Sequence, residues 1–468
     1  MEDRYDGIHF PADPGPLFDG VLEVDSRHAN REELGRRNAT LATHDPHLYR
    51  DEKTGMYYTS ASGPGGILRR SKDLVHWEYV GKGLQYDAPP EAKEWTYYSE
   101  EYQAGSVWAP EVTYVDGEYR MYYSVSTFGH RLSYIGLAVS DRPEGPYEER
   151  GAVIKTTEES PVNAIDPNLV IDHETGAHYL NYGSFWGGIR QIRIDPATGL
   201  RLEGDEPEYG RELWKRSHRA DRAIEGALEV YNPDTGYYYL FVSYDSTLTD
   251  YNIRVARSRK IQGPFVDHRG VPVSHTHTAE NPDAVGLKIV DCVQFGSHFG
   301  WAAAGHNGIL RADGHYYISY HTRAKANLKC AAQQIHWMIF DREGWPLVSP
   351  CQYSGEALQK IEPSAMAGTY ERVVLGPPDG ALCRQSEPME LKEDGSCTVD
   401  GTEGSWRMVS DYEFELCAGR LTERGYVLAS YDVDGFGRTL ALTARRSDGF
   451  CTWAKKRMEG CVCAGING

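Results

Sequence analysis

Long hydrophobic runs are missing from this sequence of 468 residues. None approaches the ~18 consecutive apolar residues of a membrane-spanning helix, so we expect no association with a membrane. Positive charge is scarce as well, because 49 Lys and Arg residues stand against 68 Asp and Glu residues and give a net charge of −19. Such an acidic chain repels a phosphate backbone, so we expect no nucleic-acid partner.

Cysteine is absent from the first 291 residues, and the nine cysteines are scattered between Cys292 and Cys463. An odd, uneven distribution does not resemble a disulfide framework, and Cys461 and Cys463 lie too close together for a zinc knuckle. The acidic segment Met1–Phe10 also lacks the apolar stretch of a secretory signal. We therefore predict a cytoplasmic protein with reduced thiols. The alternative is a secreted protein whose signal has been removed.

Helical periodicity is nearly absent, whereas short aromatic and β-branched runs recur, broken by Asp-Gly or Thr-Gly turns typical of β-hairpins. Five such units can be aligned. They begin at His44-Asp-Pro-His-Leu-Tyr, Trp108-Ala-Pro-Glu-Val-Thr-Tyr, Ile165-Asp-Pro-Asn-Leu-Val-Ile, Ile224-Glu-Gly-Ala-Leu-Glu-Val-Tyr and Gly305-His-Asn-Gly-Ile-Leu. A hairpin, a third strand and an outer edge make four strands per unit, which predicts an all-β five-bladed β-propeller.

The repeat stops near residue 350, and new alternating runs such as Gly368–Leu375 fill the last part of the chain. We predict a propeller over residues 1–355 and a small antiparallel β-barrel or sandwich over residues 364–468.

Equivalent positions of a propeller's inner strands converge on its central axis. The second position of each unit holds Asp45, Ala109, Asp166, Glu225 and His306. A single acid here is typical of a turn cap, but three in register favour a site. Two carboxyl groups suit glycosidic bond cleavage, one as proton donor and the other as base or nucleophile. A third raises the pKa of the donor by like-charge repulsion. These patterns predict a carbohydrate-active propeller and leave open the role of each acid and the choice between inversion and retention.

The motifs resemble glycoside hydrolase family 43, in particular its endo-1,5-α-L-arabinanase branch, over about residues 40–350. The family motifs occur in order at His44–Pro46, Trp108–Val112, Ile165–Asn168, Ala223–Gly226 and Gly305–Asn307, and two stretches, Gly183–Ile189 and Asp250–Ser258, are similar to the arabinanase branch. One departure is Ala227, where the family often has Pro. The C-terminal part is similar to the extra β-domain of two-domain arabinanases.

The resemblance implies hydrolysis of arabinan with inversion, with Asp45 as general base, Glu225 as general acid and Asp166 as the residue that orients the acid and raises its pKa. It implies that His306 and a shell of waters bind a calcium ion on the axis, an unusual site for a cation that prefers oxygen ligands.

The same resemblance predicts contacts with sugar from four residues, which are Trp108, Ser184, Phe185 and Trp186. Three further histidines, His44, His47 and His321, are expected to support other groups or to lie at the surface.

Two alternatives remain. An exo-acting α-L-arabinofuranosidase or β-xylosidase has the same chemistry and differs in loops that wall off one end of the cleft, for which the insertions 85–103 and 274–299 are long enough. A non-catalytic carbohydrate-binding propeller also uses aromatic and acidic residues, although it does not need three acids at one position. The oligomeric state is left open.

Overall fold

The computed structural model describes residues 2–26, 29–100, 105–274, 284–435 and 437–458. Parts of the two predicted insertions, together with Cys461 and Cys463, lie outside these described residues. The helical elements among the described residues include α1 (Arg31–Arg37), α2 (Pro90–Trp95), α3 (Pro363–Met366) and the short 3-10 turns Glu2–Tyr5 and His218–Ala220. Within the described part of the chain, no helix has the length and apolar character needed to cross a bilayer.

The rest of the chain forms strands, which first build five antiparallel sheets. Blade 1 contains β1 (His47–Arg50), β2 (Tyr57–Ala61), β3 (Ile67–Ser71) and β4 (Trp77–Lys82). Blade 2 contains β5 (Trp108–Val115), β6 (Glu118–Ser126), β7 (Ser133–Ser140) and β8 (Glu148–Thr156). Blade 3 contains β9 (Asn168–Ile171), β10 (His178–Tyr182), β11 (Ile189–Ile194) and β12 (Arg211–Trp214).

The last two blades follow the same plan, and blade 5 carries an additional short strand. Blade 4 contains β13 (Ile224–Asn232), β14 (Tyr237–Tyr244), β15 (Asn252–Ser258) and β16 (Leu287–Val290). Blade 5 contains β17 (Val293–Gln294), β18 (Trp301–Ala312), β19 (His315–Ala324), β20 (Asn327–Phe340) and β21 (Pro346–Val348).

The inner strands β1, β5, β9, β13 and β18 pack next to one another around a single axis, and β18 packs back on β1. Backbone hydrogen bonds between the segments 40–43 and 331–333 join the start of the chain to blade 5 and help to close the ring. The prediction of an all-β protein with a five-bladed propeller is therefore confirmed.

The C-terminal strands form a closed barrel, which decides between the predicted barrel and sandwich. Its strands are β22 (Gly368–Val374), β24 (Glu387–Leu391), β25 (Ser396–Val399), β26 (Thr402–Met408), β27 (Glu413–Ala418), β28 (Leu421–Asp432), β29 (Gly437–Arg446) and β30 (Cys451–Lys456). Antiparallel pairing of β22 with β30 closes the ring. Alternate residues such as Phe414 and Leu416 on β27 fill the interior, as the two-residue period of a strand requires.

The barrel packs directly on the propeller. Val373, Leu375 and Trp453 of the barrel share one buried cluster with Ile289 of blade 4 and Leu347 of blade 5. The excursion between β22 and β24 contains β23 (Arg384–Gln385), which pairs in parallel with β17 of blade 5. A segment of the C-terminal domain thus lies along the propeller beside blades 4 and 5.

Candidate active site

Each inner strand has the same β-bulge near the axis, where three of its residues oppose two on the second strand. The bulge places one residue of each blade in the left-handed backbone region, with φ of +54° at Asp45, +38° at Ala109, +58° at Asp166, +61° at Gly226 and +57° at His306. In blade 4 this conformation falls on Gly226, which adopts it without steric cost. The sequence alignment that made Glu225 equivalent to Asp45 and Asp166 is therefore wrong by one residue. Glu225 occupies the place of Trp108 in blade 2.

Side chains on the second strand hold these bulges in place. In three blades the N–H of the left-handed residue donates to a serine Oγ of the neighbouring blade. The pairs are Ala109 with Ser62 (2.8 Å), Asp166 with Ser124 (3.3 Å) and His306 with Ser243 (2.8 Å). The bulge residues are thereby fixed to one another around the axis.

The same position carries different residues in the other two blades. In blade 5 it is His321, whose Nδ1 accepts the Asp45 N–H at 3.2 Å. In blade 3 it is Gly183, which has no side chain to offer, and the Gly226 N–H donates instead to Asp166 Oδ2 at 3.1 Å. Both exceptions therefore involve the acids, since His321 holds the backbone of Asp45 and the Asp166 carboxylate takes the place of the side chain that Gly183 lacks.

Asp45 is only 7% exposed. Its Oδ1 lies 2.7 Å from His44 Nδ1 and 3.1 Å from His306 Nδ1, and its Oδ2 accepts a 2.5 Å hydrogen bond from Ser62. Burial by itself would raise the pKa of Asp45, but His306, His44 and His321 hold that pKa well below its ordinary value. Asp45 is therefore a carboxylate at neutral pH.

A chain of hydrogen bonds leads from the Asp45 backbone back to its carboxylate. Since His321 Nδ1 accepts the Asp45 N–H, its proton is on Nε2, which lies 3.1 Å from Thr247 Oγ1. The Thr247 hydroxyl in turn lies 3.1 Å from His44 Nε2, which leaves His44 Nδ1–H to donate to Asp45 Oδ1. The potential metal-ligand atoms of His44, Asp45 and His321 lie within 4.8 Å of one another. The hydrogen bonds just described explain this proximity without a metal ion.

This network decides between the two predicted places of His44 and His321, which were expected, with His47, to support other groups or to lie at the surface. The supporting role applies and the surface position does not, because His321 is fully buried and its ring stacks on His44 at a centroid distance of 3.9 Å. His47 is largely buried too, and its Nε2 lies 3.7 Å from Glu111.

Glu225 and Asp166 form a coupled pair of carboxyl groups. Burial raises the pKa of Glu225 to about 7, the Tyr251 hydroxyl opposes this rise through a 3.0 Å hydrogen bond to Oε1, and the charge of Asp45 adds to it. Burial and the charges of Glu225 and Asp45 raise the pKa of Asp166 well above its ordinary value. The pair therefore keeps a proton near neutral pH, beside an Asp45 that has none.

His306 presents one ring nitrogen to a carboxylate, since its Nδ1 faces Asp45. Burial lowers the pKa of His306, which favours the neutral ring. Both side-chain polar atoms of Asn307, the next residue in the chain, are buried with no hydrogen-bond partner among the described residues, and so is the Nδ1 of His47. His47 is near His306 in space, since the charge of His306 contributes to lowering the pKa of His47. Unpartnered polar atoms around a histidine that is oriented by a carboxylate fit a hydrated metal ion, because metal-binding histidines commonly donate their other N–H to a carboxylate.

A cavity of about 720 Å³ opens beside these groups, with Glu225 in its wall. All four residues predicted to contact sugar, Trp108, Ser184, Phe185 and Trp186, line this cavity. Ser184 is nearly inaccessible and its Oγ accepts from Asn163 Nδ2 at 3.0 Å, whereas the three aromatic side chains are partly exposed. The rings of Phe185 and Trp186 lie 6.5 Å apart at an angle of 55°.

Several residues that line the cavity were not predicted from the sequence. Arg216 is buried, donates to Asp245 Oδ1 at 2.5 Å and lies over the Tyr244 ring. Pro378 comes from the C-terminal domain, whose excursion is held by a 2.9 Å hydrogen bond from Lys288 Nζ to the Gly376 carbonyl. No sequence motif marks Arg216, and the position of Pro378 depends on how the two domains pack.

The chain is similar to named arabinanases along most of its length. It is 31% identical over 450 residues to the extracellular endo-alpha-(1->5)-L-arabinanase of Thermotoga petrophila, which covers 88% of this chain and 92% of the relative. It is 28% identical over 454 residues to the extracellular endo-alpha-(1->5)-L-arabinanase 2 of Bacillus subtilis, covering 89% and 93% of the two chains. The crystal structure of the endo-1,5-alpha-L-arabinanase from T. petrophila superimposes with a TM-score of 0.76 at 30% identity, covering 88% of this chain and 98% of that one.

The prediction of a cytoplasmic protein is wrong, because both relatives are named extracellular. The cysteines on which that prediction rested are mostly shielded from solvent. The seven described cysteines are unpaired and, except for the partly exposed Cys417, buried. Burial raises the pKa of thiols such as Cys292 and Cys351, and a buried thiol resists oxidation without a disulfide partner.

Family models match both parts of the chain. Residues 38–346 match the model of the glycosyl hydrolases family 43, and residues 350–454 match a C-terminal lipocalin-like domain that is named for the same family. The first match spans the propeller and the second spans the closed barrel. The resemblance predicted from the motifs is confirmed, and the chain belongs to family 43 of the glycosyl hydrolases.

Proposed function

We propose that this protein hydrolyses internal α-1,5-L-arabinofuranosidic bonds of arabinan, with inversion at the anomeric carbon. The observation that carries the proposal is the contrast between two neighbouring acids. Glu225 lies in the wall of the cavity and has a raised pKa, whereas Asp45, near enough for its charge to act on Glu225, has a lowered pKa. Carboxyl groups whose environments drive their pKa values apart are the mark of an acid and base pair. Membership of family 43 and the two endo-arabinanase relatives supply the reaction class and the substrate.

Glu225 is the general acid in this proposal. With a pKa of about 7, it still carries its proton at the pH of a mildly acidic or neutral medium. It protonates the glycosidic oxygen as the bond to the anomeric carbon breaks. Among the three acids, Glu225 is the one that lines the cavity, as a donor to the leaving sugar requires.

Asp45 is the general base that removes a proton from the attacking water. Its ionised state is maintained by the three histidines around it, and its orientation is fixed by Ser62 and His44. A water molecule activated on the side opposite to the leaving group gives inversion in a single displacement.

Asp166 keeps the proton on Glu225. The charge of Glu225 raises the pKa of Asp166, and by reciprocity a charge on Asp166 disfavours ionisation of Glu225. The Gly226 N–H, which donates to Asp166 Oδ2, favours the charged form of Asp166. Trp108, Phe185 and Trp186 offer partly exposed rings in the cavity for the apolar faces of the sugar units.

A calcium ion held by His306 Nε2 and water molecules belongs to the same proposal. The orientation of His306 by Asp45 and the unpartnered polar atoms of Asn307 and His47 support it. When bound, the ion supplies positive charge on the propeller axis and favours the ionised form of Asp45.

The test is a time course of products from linear α-1,5-arabinan, followed by viscosity and by chromatographic sizing. Endo cleavage predicts a rapid fall in viscosity and a mixture of oligosaccharides from the first minutes. Arabinose alone from the start would assign the protein to the exo-acting enzymes. Binding of arabinan without any cleavage would make it a carbohydrate-binding propeller.

A further inference from the structure

Exposed aromatic side chains are concentrated at one end of the cavity. Nine large hydrophobic side chains are exposed in the described part of the chain, and four of them lie on two neighbouring segments: Trp95 (37%), Tyr97 (52%), Tyr98 (49%) and Phe128 (74%). Contiguous exposed apolar surface on a soluble protein marks an interaction site or a ligand-binding groove. These four rings do not belong to the buried core beside them, which contains other tyrosines of blade 2 such as Tyr123 and Tyr134.

The two segments form one surface. The Thr127 hydroxyl donates to the Thr96 carbonyl at 2.6 Å, and the Tyr98 ring lies against His130 at a centroid distance of 3.8 Å. Phe128 and His130 also line the cavity that contains Glu225. The aromatic surface is therefore continuous with the wall of the cleft.

Trp95 has a different role from its neighbours. Its Nε1 donates to the Thr156 carbonyl at 3.1 Å, and the Lys155 ammonium lies 4.8 Å from its ring centroid. Trp95 thus anchors the end of α2 to blade 2, and this anchor presents the two tyrosines that follow at the rim.

We propose that Tyr97 and Tyr98 form a distal platform that binds arabinan beyond the cleft. This inference rests on the proposed function and adds a determinant of chain-length preference. Arabinan is uncharged, so ion pairs with this acidic protein of net charge −19 contribute nothing to its recognition. Aromatic rings bury large apolar areas at low cost in conformational entropy and suit the apolar faces of sugar rings. A long chain that passes Phe128 in the wall of the cleft and leaves at this end meets the rings of Tyr97 and Tyr98.

The platform is tested with the variants Tyr97→Ala and Tyr98→Ala and with their combination, assayed on long linear arabinan and on arabinotriose. Tyr114→Ala is the matched control, because Tyr114 is an equally exposed tyrosine (45%) at the end of β5 remote from Trp108, with Lys53 over its ring. We expect the double variant to raise KM on the polymer about tenfold with unchanged kcat. Kinetics on arabinotriose and all kinetics of the control should stay as in the wild type.

Two further results separate the platform from a general defect. Tyr98→Phe should keep the wild-type KM, since the ring alone supplies the surface. Electrophoretic retardation in gels containing arabinan should fall in the double variant and not in Tyr114→Ala. If the wild type cleaves arabinan but the double variant keeps its KM on the polymer, or loses activity equally on both substrates, the platform is refuted. If the wild type does not cleave arabinan at all, the proposed function fails first.

Discussion

Tyr251 offers a sensitive probe of the proposed acid, because one hydroxyl contacts the Glu225 carboxyl group. Its Oη donates to Glu225 Oε1 at 3.0 Å, and the tyrosine is 1% exposed. The ring packs on Gly305, where any side chain would collide with it. Tyr251→Phe therefore removes the hydrogen bond and keeps the packing.

The size of the effect follows from the kind of bond that is lost. A hydrogen bond to the charged form of an acid lowers its pKa, so removing it raises the pKa. Hydrogen bonds to charged groups contribute about 1.5–3 kcal/mol, which corresponds to roughly one to two pKa units. Starting from a pKa of about 7 for Glu225, the variant should lose its proton near pH 8 to 9, as estimated from that bond strength. The acid is active when protonated, so activity should persist to higher pH.

The assay is the pH dependence of kcat/KM on linear arabinan oligosaccharides. We expect the basic limb of the Tyr251→Phe profile to move upward by about one unit or more, while the acidic limb stays in place. Tyr244→Phe is the control, because this buried hydroxyl accepts a hydrogen bond from Trp214 Nε1, whereas the Tyr251 hydroxyl donates to Glu225. A basic limb that stays in place or moves downward in Tyr251→Phe would refute the assignment of Glu225 as the titrating acid.

Three other substitutions test the remaining roles. Asp166→Asn should shift the basic limb in the opposite direction, downward, because loss of a neighbouring negative charge lets the pKa of Glu225 fall; an upward shift contradicts that role. Asp45→Ala should abolish hydrolysis of every substrate, whereas Glu225→Ala should lose about 10²–10⁴-fold on arabinan and far less on an aryl arabinoside with a good leaving group; an exchange of these phenotypes reverses the assignment. Calcium chelation or His306→Ala should lower the melting temperature as well as the rate, since a ligand at a hundredfold excess over its Kd stabilises by about 2.7 kcal/mol; unchanged melting after chelation argues against the ion.

The sequence predicts the blades well, because hairpin turns and strand alternation are local features. Its weakness lies in register. Ile224-Glu-Gly aligns naturally with Ile165-Asp-Pro, yet the bulge of blade 4 falls on the glycine and displaces Glu225 by one residue. The left-handed conformation depends on hydrogen bonds to side chains of the neighbouring blade and on the ease with which glycine adopts it. A residue-by-residue alignment contains neither kind of information.

The supporting residues of the site come from contacts that are distant in sequence. Thr247 joins His44 to His321 across 203 and 74 residues, and Pro378 enters the cavity from the other domain. One signal was present in the sequence and was not used. The blade position that holds serine at 62, 124 and 243 holds Gly183 and His321 in the other blades, and both exceptions coincide with the environments of the predicted acids.

The stereochemistry of cleavage tests the assignment of Asp45 as general base most directly. If Asp45 activates a water molecule that attacks the anomeric carbon in one step, the configuration at that carbon is inverted. Proton NMR of the first products of linear α-1,5-arabinan reports the anomer at the new reducing end before mutarotation. Oligosaccharide products are suitable because their substituted O5 keeps the reducing sugar in the furanose form. Inversion of the α-linkage predicts that the β-anomer forms first and then equilibrates with the α-anomer. Initial formation of the α-anomer would show retention, and Asp45 would then be a nucleophile and not a base.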